Sequence, residues 1–472
     1  MLSKLKIQTL KQKLWAIIAA SFIARVIMFI VLPNTPSFLA PDEGTYAFLA
    51  KWISESKPAT DFPTFGGDLY LSGRSIIIPA STLIKFGMNE LDAVRLVSSI
   101  YGLLALCVVA YFAYKLNQSG VSRSARNKRI ESLVLVLIFV YAFLPSHFVW
   151  SNLGLRESSN EFWLLITFLG VFLFYRDKQP RKFLIALLIF TSIVCTFSSR
   201  PQVGWVLAVS ILLYFLLNLR NKLTYILIAF VSTGLFTGYL ATTSFTYVTS
   251  DLFVAKELIP TRGNYGVAEA SKLCNREKEK VEFKGKTYIC IKSGTVTKRE
   301  DKLNLARAVI DEVALIPEKQ IGNQVGAASM IERSACPWEE SSEIGKYGCL
   351  AFRAPYMTLT FLFRPLPFID TTSFSSAFAA AENTLWILMF VLIVYGIFSV
   401  KKIPFFGELA PSLIFFSLYV VGAGAYEGNM GTAFRHKSLI LWIVLLLLFA
   451  VFWREQDEAK EPQGNNSQES AV

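Results

Sequence analysis

The chain has 472 residues, of which 53% are hydrophobic and only 17% are charged. A soluble globule of this length needs more charge to cover its surface, so this composition, with a mean hydropathy of +0.45, indicates an integral membrane protein. The formal net charge is +12, but no basic stripe with interleaved aromatic residues indicates a nucleic-acid-binding domain. We therefore expect membrane lipids, and no nucleic acid, among its partners.

Apolar runs of membrane-spanning length recur along the chain, and we interpret about ten of them as transmembrane helices. They lie near residues 13–33, 92–116, 131–150, 160–175, 183–198, 202–219, 223–243, 378–399, 407–425 and 438–453. When these spans alternate, the Lys- and Arg-rich loops near 123–129, 176–182, 220–222 and 401–402 all fall on one side. The positive-inside rule then places both termini in the cytoplasm.

The resulting prediction is an all-α polytopic protein of the cytoplasmic (inner or plasma) membrane with a small α+β domain inserted late in the chain on the non-cytoplasmic side. The predicted units are a basic cap and first span (1–33), an outer loop with an acidic motif and interfacial helices (34–91), membrane helices (92–243), a non-cytoplasmic soluble insert (244–377), further membrane helices (378–453) and a disordered cytoplasmic tail (454–472). The tail is rich in Glu, Gln, Asn and Ser, a composition typical of disorder.

Four of the six cysteines fall in the predicted insert. Disulfides form on the outer side of a membrane, so Cys274, Cys290, Cys336 and Cys349 are predicted to form two of them. The simplest pairing joins Cys274 to Cys290 and Cys336 to Cys349, although four cysteines permit three pairings. A zinc site is less favoured because no Cys-x-x-Cys spacing occurs.

Two adjacent carboxylates, Asp42 and Glu43, follow the first span and begin a helical pattern that also contains Tyr46. An ionised acid at the membrane boundary can accept a proton from a hydroxyl group, or the pair can bind a divalent metal such as Mg or Mn. Asp42 also fits a helix N-cap, and Glu43 fits the helix dipole, so a structural interpretation stays open.

A second candidate site precedes the last span, where Asn429 is followed by Arg435, His436 and Lys437. Positive side chains on the outer face are disfavoured unless an anion holds them, and a lipid-linked phosphate is an anion available at that depth. Pairing of Arg435 and Lys437 with Glu427 or with anionic headgroups is the structural alternative.

Further cations lie beside predicted span ends. Arg156, Arg200 and Arg364 could converge on a phosphate or pyrophosphate, but each could also serve structure, as Arg156 would by pairing with Glu157 or Glu161. Lys85 ends an apolar stretch too short to cross the membrane, where an interfacial anchor is favoured over a phosphate ligand.

The Pro41-Asp42-Glu43-Gly44-Thr45-Tyr46 loop after a first span, followed by an interfacial segment, many spans and an outer domain, resembles the GT-C superfamily of polyprenyl-phosphate-sugar-dependent glycosyltransferases. The segments around Arg156, Arg364 and Arg435 are similar to those of bacterial membrane proteins of surface-polysaccharide assembly, with a likeness to glycosyltransferase family 39. This resemblance implies a GT-C-like helical fold, Asp42 as general base, and Glu43 as a helper or metal ligand.

The resemblance further implies an inverting transfer at the outer membrane face, from a polyprenyl-phosphate-linked sugar to a hydroxyl on a lipid or glycan acceptor. A polysaccharide polymerase that joins lipid-pyrophosphate-linked repeat units is the nearest alternative. A transporter or flippase is a second alternative, but we see neither ionisable groups near the bilayer midplane nor an internal repeat in the sequence.

Overall fold

The structure is a computed structural model. It describes residues 9–32, 42–56, 66–119, 128–176, 181–217, 280–283, 286–292, 295–298, 343–367, 369–370, 374–399, 405–427 and 430–453. The helices in these ranges are α1 (Leu10–Val31), α2 (Glu43–Ser54), α3 (Gly66–Lys85), α4 (Glu90–Ser119), α5 (Lys128–Phe143), α6 (Pro145–Trp150), α7 (Glu157–Arg176), α8 (Lys182–Ser199), α9 (Pro201–Leu217), α10 (Glu343–Phe363), α11 (Phe374–Ser399), α12 (Phe406–Tyr426), α13 (Met430–His436) and α14 (Ser438–Phe452). The strands are β1 (Lys280–Phe283), β2 (Lys286–Lys292) and β3 (Thr295–Lys298).

Six described helices are long and apolar enough to cross a membrane: α1, α4, α7, α8, α11 and α12. Shorter apolar helices occupy 130–143, 201–217 and 438–452. The predicted span at 223–243 lies outside the described residues, so the count of ten stays a prediction. The architecture in the described ranges is that of a helical, multi-pass membrane protein.

The span predicted at 131–150 is interrupted. Its helix ends at Phe143, and Pro145 begins the short helix α6 after Leu144, which has an extended ψ of 122°. Proline disfavours a helical conformation in the residue before it and supplies no backbone donor, so it starts a new helix rather than continuing the old one.

The core of the bundle surrounds α14, in which nearly every residue is buried. Hydrophobic all round, α14 contributes Trp442 and Phe449 to a large cluster with side chains of α4, α5, α7, α8, α9 and α12. Helices at the periphery instead expose large apolar side chains, such as Leu388 and Val391 of α11 and Ile27 and Ile30 of α1. Such outward apolar faces suit contact with lipid.

A second, smaller core holds α2 and α3 against α4. Tyr46, Leu49 and Ile53 of α2 pack with Ile76 and Ile77 of α3. The remaining members of this core are Ala47, Ala50, Ala80, Ala93, Val94, Val97, Leu153 and Leu155. This packing fixes the beginning of α2, and with it Asp42, against the turn between α6 and α7.

The range predicted to form the soluble insert contains two described parts. One is an antiparallel sheet with strand order β1-β2-β3, and the other is α10, whose Phe361 and Leu362 belong to the main core. The described part of α10 therefore packs with the membrane helices, although sequence placed it in the insert. The predicted helix at 303–316 lies outside the described residues.

Candidate active site

Seven polar side chains from widely separated segments meet at one end of the bundle, and we call them the charged cluster. They are Asp42, Arg156, Glu157, Arg200, Glu427, Arg435 and His436. Each stands where a helix begins or ends: at the start of α2 and α7, between α8 and α9, after α12, and in the last turn of α13.

The centre of the charged cluster is Arg435. Its Nη2 donates to Asp42 Oδ2 at 3.1 Å, and its Nε lies 3.2 Å from Glu157 Oε1. The Arg435 side chain is 8% exposed, whereas that of Asp42 is 26% exposed. Of these two carboxylates, Asp42 is the one exposed to solvent, and Arg435 bridges it to the buried acid Glu157.

Local sequence explains the position of Arg200. Pro201 begins α9, and the residue before a proline avoids the helical region; accordingly Arg200 has φ −158° and ψ 97° and ends α8. The guanidinium reaches the ring nitrogens of His436. Its contacts with carboxylates are longer, 3.8 Å to Glu157 and 3.9 Å to Glu427.

His436 lies between Glu427 and Arg200. Its Nδ1 makes a hydrogen bond with Glu427 Oε1, and its Nε2 makes one with Arg200 Nη1. Because an arginine only donates, the ring accepts a hydrogen bond from the guanidinium. His436 therefore links Glu427 to Arg200 and orients both.

The charges of the cluster balance one another. Burial alone would raise the pKa of the Glu427 carboxyl, but His436, Arg200 and Arg435 hold that pKa below its usual value. Burial alone would lower the pKa of Arg435, but Glu157 and Asp42 raise it. Opposite charges at short range favour the ionised forms, so these groups stay charged at neutral pH.

Tyr46 and Arg156 line the same site. Burial raises the pKa of the Tyr46 hydroxyl to about 12, and among the described residues this hydroxyl has no hydrogen-bond partner. Burial would lower the pKa of Arg156, but the nearby Tyr46, Glu157 and Asp42 raise it. An unpaired hydroxyl donor therefore lies beside three charged members of the cluster.

Glu43 points away from Asp42 and serves a different contact. It is fully buried, and Arg95 donates to it through Nε at 2.6 Å and through Nη2 at 3.3 Å. The backbone N–H of Gly154 donates to the same carboxylate at 2.9 Å. A Cβ on Gly154 would stand 2.5 Å from Val94 Cγ2, so this approach requires glycine. Glu43 thus ties the start of α2 to α4 and to the α6–α7 turn.

Lys437 and Arg364 form a neighbouring polar group rather than part of the cluster. Lys437 Nζ donates to Arg364 O at 2.6 Å and to Asn383 Oδ1 at 2.7 Å, and burial lowers the Lys437 pKa to about 7. The Arg364 guanidinium pairs with Asp370 through two nitrogens, which lowers the pKa of that carboxyl. Both cations therefore have structural partners.

The other candidate residues lie apart from the cluster or outside the description. Lys85 is exposed at the end of α3, about 18 Å along that helix from Gly73 at 1.5 Å per residue, and Gly73 is the residue that packs on Tyr46. Asn429 lies outside the described residues.

The structure describes only some of the cysteines that are predicted to form disulfides. Cys349 is disulfide-bonded, but Cys274 and Cys336 lie outside the described residues, as does the side chain of Cys290, so the pairing stays a prediction. Cys107 and Cys195 are free and half-buried within α4 and α8.

The donor set does not fit the metal ion that sequence suggested for Asp42 and Glu43. Their carboxylates contact different arginines, Arg435 and Arg95. Among the described residues no group of three or more His, Cys, Asp or Glu side chains is arranged to hold a metal.

The sequence did not indicate that Glu157 and Glu427 belong to the charged cluster. It offered them only as partners that neutralise an arginine or a lysine. The available signal was their placement: each acid lies within a few residues of a predicted outer span end, on the same side as the arginines. Buried arginines need counter-charges, so acids at matching helix ends were candidates for the same site.

Comparison with known proteins yields little. No family model matches the sequence, and no curated protein matches it. A structure comparison finds the crystal structure of ArnT from Cupriavidus metallidurans in the apo state, with a TM-score of 0.39 and 14% sequence identity, covering 92% of this chain and 77% of that chain. Likeness at this level is too weak to assign this chain to a family.

Proposed function

We propose that this protein is a membrane glycosyltransferase of the GT-C type, which moves a sugar from a polyprenyl-phosphate-linked donor to a hydroxyl acceptor at the outer face of the cytoplasmic membrane. The observation that carries the proposal is the contact between Asp42 and Arg435 at the end of the bundle. It joins a solvent-accessible carboxylate to a group of three arginines, of which Arg435 is buried and Arg156 and Arg200 are partly exposed. A hydroxyl nucleophile and a phosphate leaving group require this combination of an accessible carboxylate and nearby cations.

In the proposed reaction Asp42 accepts the proton of the acceptor hydroxyl, and the oxygen attacks the anomeric carbon of the donor sugar. The bond between that carbon and the phosphate oxygen breaks, and the phosphate departs with the electron pair. Attack from the opposite side inverts the anomeric configuration. Arg435 fixes the direction of the Asp42 carboxylate, because its Nη2 donates a hydrogen bond to Oδ2.

Arg200 is the arginine best suited to the departing phosphate. Its separations from Glu157 and Glu427, 3.8 Å and 3.9 Å, are longer than those of Arg435, and its side chain is 11% exposed. When Arg200 turns toward a phosphate oxygen, it therefore loses weaker contacts with carboxylates than Arg435 would lose. Arg156 supplies a second positive charge close to Asp42. Two arginines offer the planar donor geometry that phosphate favours.

The charges at the two ends of α8 support a site that faces outward. Arg181 precedes α8 and Arg200 follows it, so the basic 176–182 segment and the charged cluster stand at opposite ends of an 18-residue helix, about 27 Å apart at 1.5 Å per residue. The positive-inside rule assigns the basic end to the cytoplasm. The cluster then faces the exterior, where a flipped lipid-linked donor is available.

Replacing Asp42 tests this proposal in the organism that makes the glycan. Cells carrying Asp42→Asn as the only copy should lose the surface glycan and accumulate its lipid-linked precursor. Glu408→Gln, an acid at the other end of α12, is the matched control and should leave the glycan unchanged. A sugar on a lipid monophosphate among the accumulated precursors supports the proposed donor, whereas whole repeat units on pyrophosphate indicate a polymerase. A normal glycan from a correctly inserted Asp42→Asn protein contradicts the catalytic role.

A further inference from the structure

A groove runs along the face of α2 that points away from the core. Its lining residues on this helix follow helical spacing from Gly44 to Glu55, and Glu90 and Leu91 at the start of α4 form the other wall. The cavity volume is about 380 Å³, within the range of small-molecule sites. The groove runs along 12 residues of chain, from Gly44 to Glu55, about 17 Å for the 11 steps between them at 1.5 Å per residue, so its shape suits an elongated ligand.

Two aromatic rings form an accessible apolar surface in this groove. Phe48 and Trp52, one helical turn apart, have ring centroids separated by 5.5 Å, and Phe48 is 42% exposed. Neither ring belongs to the small core that buries the opposite face of α2. Aromatic faces of this kind stack against the C–H faces of sugar rings as they do against other flat apolar groups.

Charged side chains surround the two rings. Lys51 Nζ lies 3.3 Å from Glu90 Oε1, and Glu55 is exposed at the end of the stripe. Carboxylate oxygens accept hydrogen bonds from hydroxyl groups. The two acids outnumber the single lysine, so the groove disfavours an anionic lipid headgroup, and charged walls disfavour acyl chains. A neutral, hydroxyl-rich ligand matches both the rings and the acids.

The groove begins beside the candidate catalytic acid. Gly44 lies two residues after Asp42, which occupies the N-cap position of the same helix without a side-chain capping hydrogen bond. Asp42 faces Arg435 and the cluster, whereas the groove occupies the opposite face of α2. A ligand that occupies the groove and also presents a hydroxyl to Asp42 has to pass around the first turn of the helix, a span that suits a chain of sugars and not a single sugar.

We propose that this groove binds the body of a carbohydrate chain whose terminal hydroxyl is the acceptor at Asp42. The inference rests on the proposed function, and it narrows the acceptor from a lipid or a glycan to an oligosaccharide. The rings of Phe48 and Trp52 stack on the sugars, and Glu55 and Glu90 accept hydrogen bonds from their hydroxyl groups. Trp52 is thus a residue for acceptor binding and not for the chemical step.

Binding of the fluorescently labelled full chain, in detergent, to an array of mono- and oligosaccharides from bacterial surface glycans tests the inference. We expect wild type to bind oligosaccharides more tightly than single sugars, and Trp52→Ala to lose about tenfold in affinity, the upper range for one aromatic contact. Trp52→Phe, which keeps a ring, should retain most of it. Trp15→Ala removes an exposed tryptophan (58% exposed) near the start of α1 and should change nothing.

The array separates this inference from the proposed function because it measures no transfer. Asp42→Asn should bind the same oligosaccharides as wild type. The inference is overturned if wild type binds no oligosaccharide or if Trp52→Ala binds oligosaccharides as tightly as wild type. It is also overturned if the only defect of Trp52→Ala is a failure to reconstitute into lipid nanodiscs. The last result would assign the groove to the membrane surface. If Asp42→Asn still transfers sugar, the catalytic role proposed for Asp42 is wrong, but the measured binding of oligosaccharides to the groove still stands.

Discussion

Asp42 and Arg435 are 393 positions apart in the sequence, yet their side chains meet at 3.1 Å. The contact joins the first loop of the chain to the short helix that precedes the last described helix. Arg435 also approaches Glu157, so one guanidinium ties together α2, α7 and α13. Three segments that are remote in sequence thereby become one site.

Arg435→Lys tests whether this bridging geometry matters. A lysine presents a point charge and reaches one carboxylate well, whereas the planar guanidinium reaches both Asp42 and Glu157. We expect transfer to fall by about 10² to 10³, the range for losing one preorganised electrostatic contact, with the protein still inserted and folded. Sugar transfer by purified protein measures this loss. Full activity in Arg435→Lys would show that charge alone suffices.

Glu43→Gln tests the structural assignment of the second acid. The change leaves the buried Arg95 without its counter-charge, and breaking such a pair costs about 3 kcal/mol or more. We expect a clearly lower unfolding midpoint in detergent, whereas Glu408→Gln should unfold like wild type. If instead stability is unchanged and transfer is lost, Glu43 acts in the chemistry and not in the fold.

Glu427 gives the site a defined response to acid. Its pKa is lowered in the folded protein, so its stabilising contribution is complete above the ordinary glutamate pKa of about 4.3 and is lost as the pH falls through the lower folded value. The midpoints of wild type and Glu427→Gln should therefore differ by a constant amount from neutral pH down to that region, then converge. Parallel curves throughout acid unfolding would argue against an ionised Glu427.

Lys437 should make stability rise with pH in a second window, at alkaline pH. Its folded pKa is about 7, against about 10.4 in an unfolded chain, so between these values the unfolded state binds a proton that the folded state lacks. Stability should rise with pH across this window by at most about 1.4 kcal/mol per pH unit. Lys437→Met should lack this rise. Equal slopes in both proteins would mean that Lys437 stays protonated in its buried position.

Sequence alone predicted the parts of this molecule that depend on local pattern. Apolar runs of membrane-spanning length predicted α1, α4, α7, α8, α11 and α12, and charge in the loops placed Asp42 and Arg435 on the same side. The sequence could not predict which charged side chains contact one another, because these contacts depend on how the helices pack. Glu43 and Asp42 are neighbours in sequence, yet the start of α2 turns one toward Arg95 and the other toward Arg435.

Cross-linking from outside the cell tests the central claim most directly. Asp42→Cys and Arg435→Cys are combined in a chain whose free Cys107 and Cys195 are replaced by Ala, and intact cells are treated with a short membrane-impermeant bifunctional thiol reagent. The account predicts that mass spectrometry finds the peptides containing positions 42 and 435 joined to each other. Labelling of either position only after the cells are permeabilised, or labelling of both without a cross-link, would contradict it.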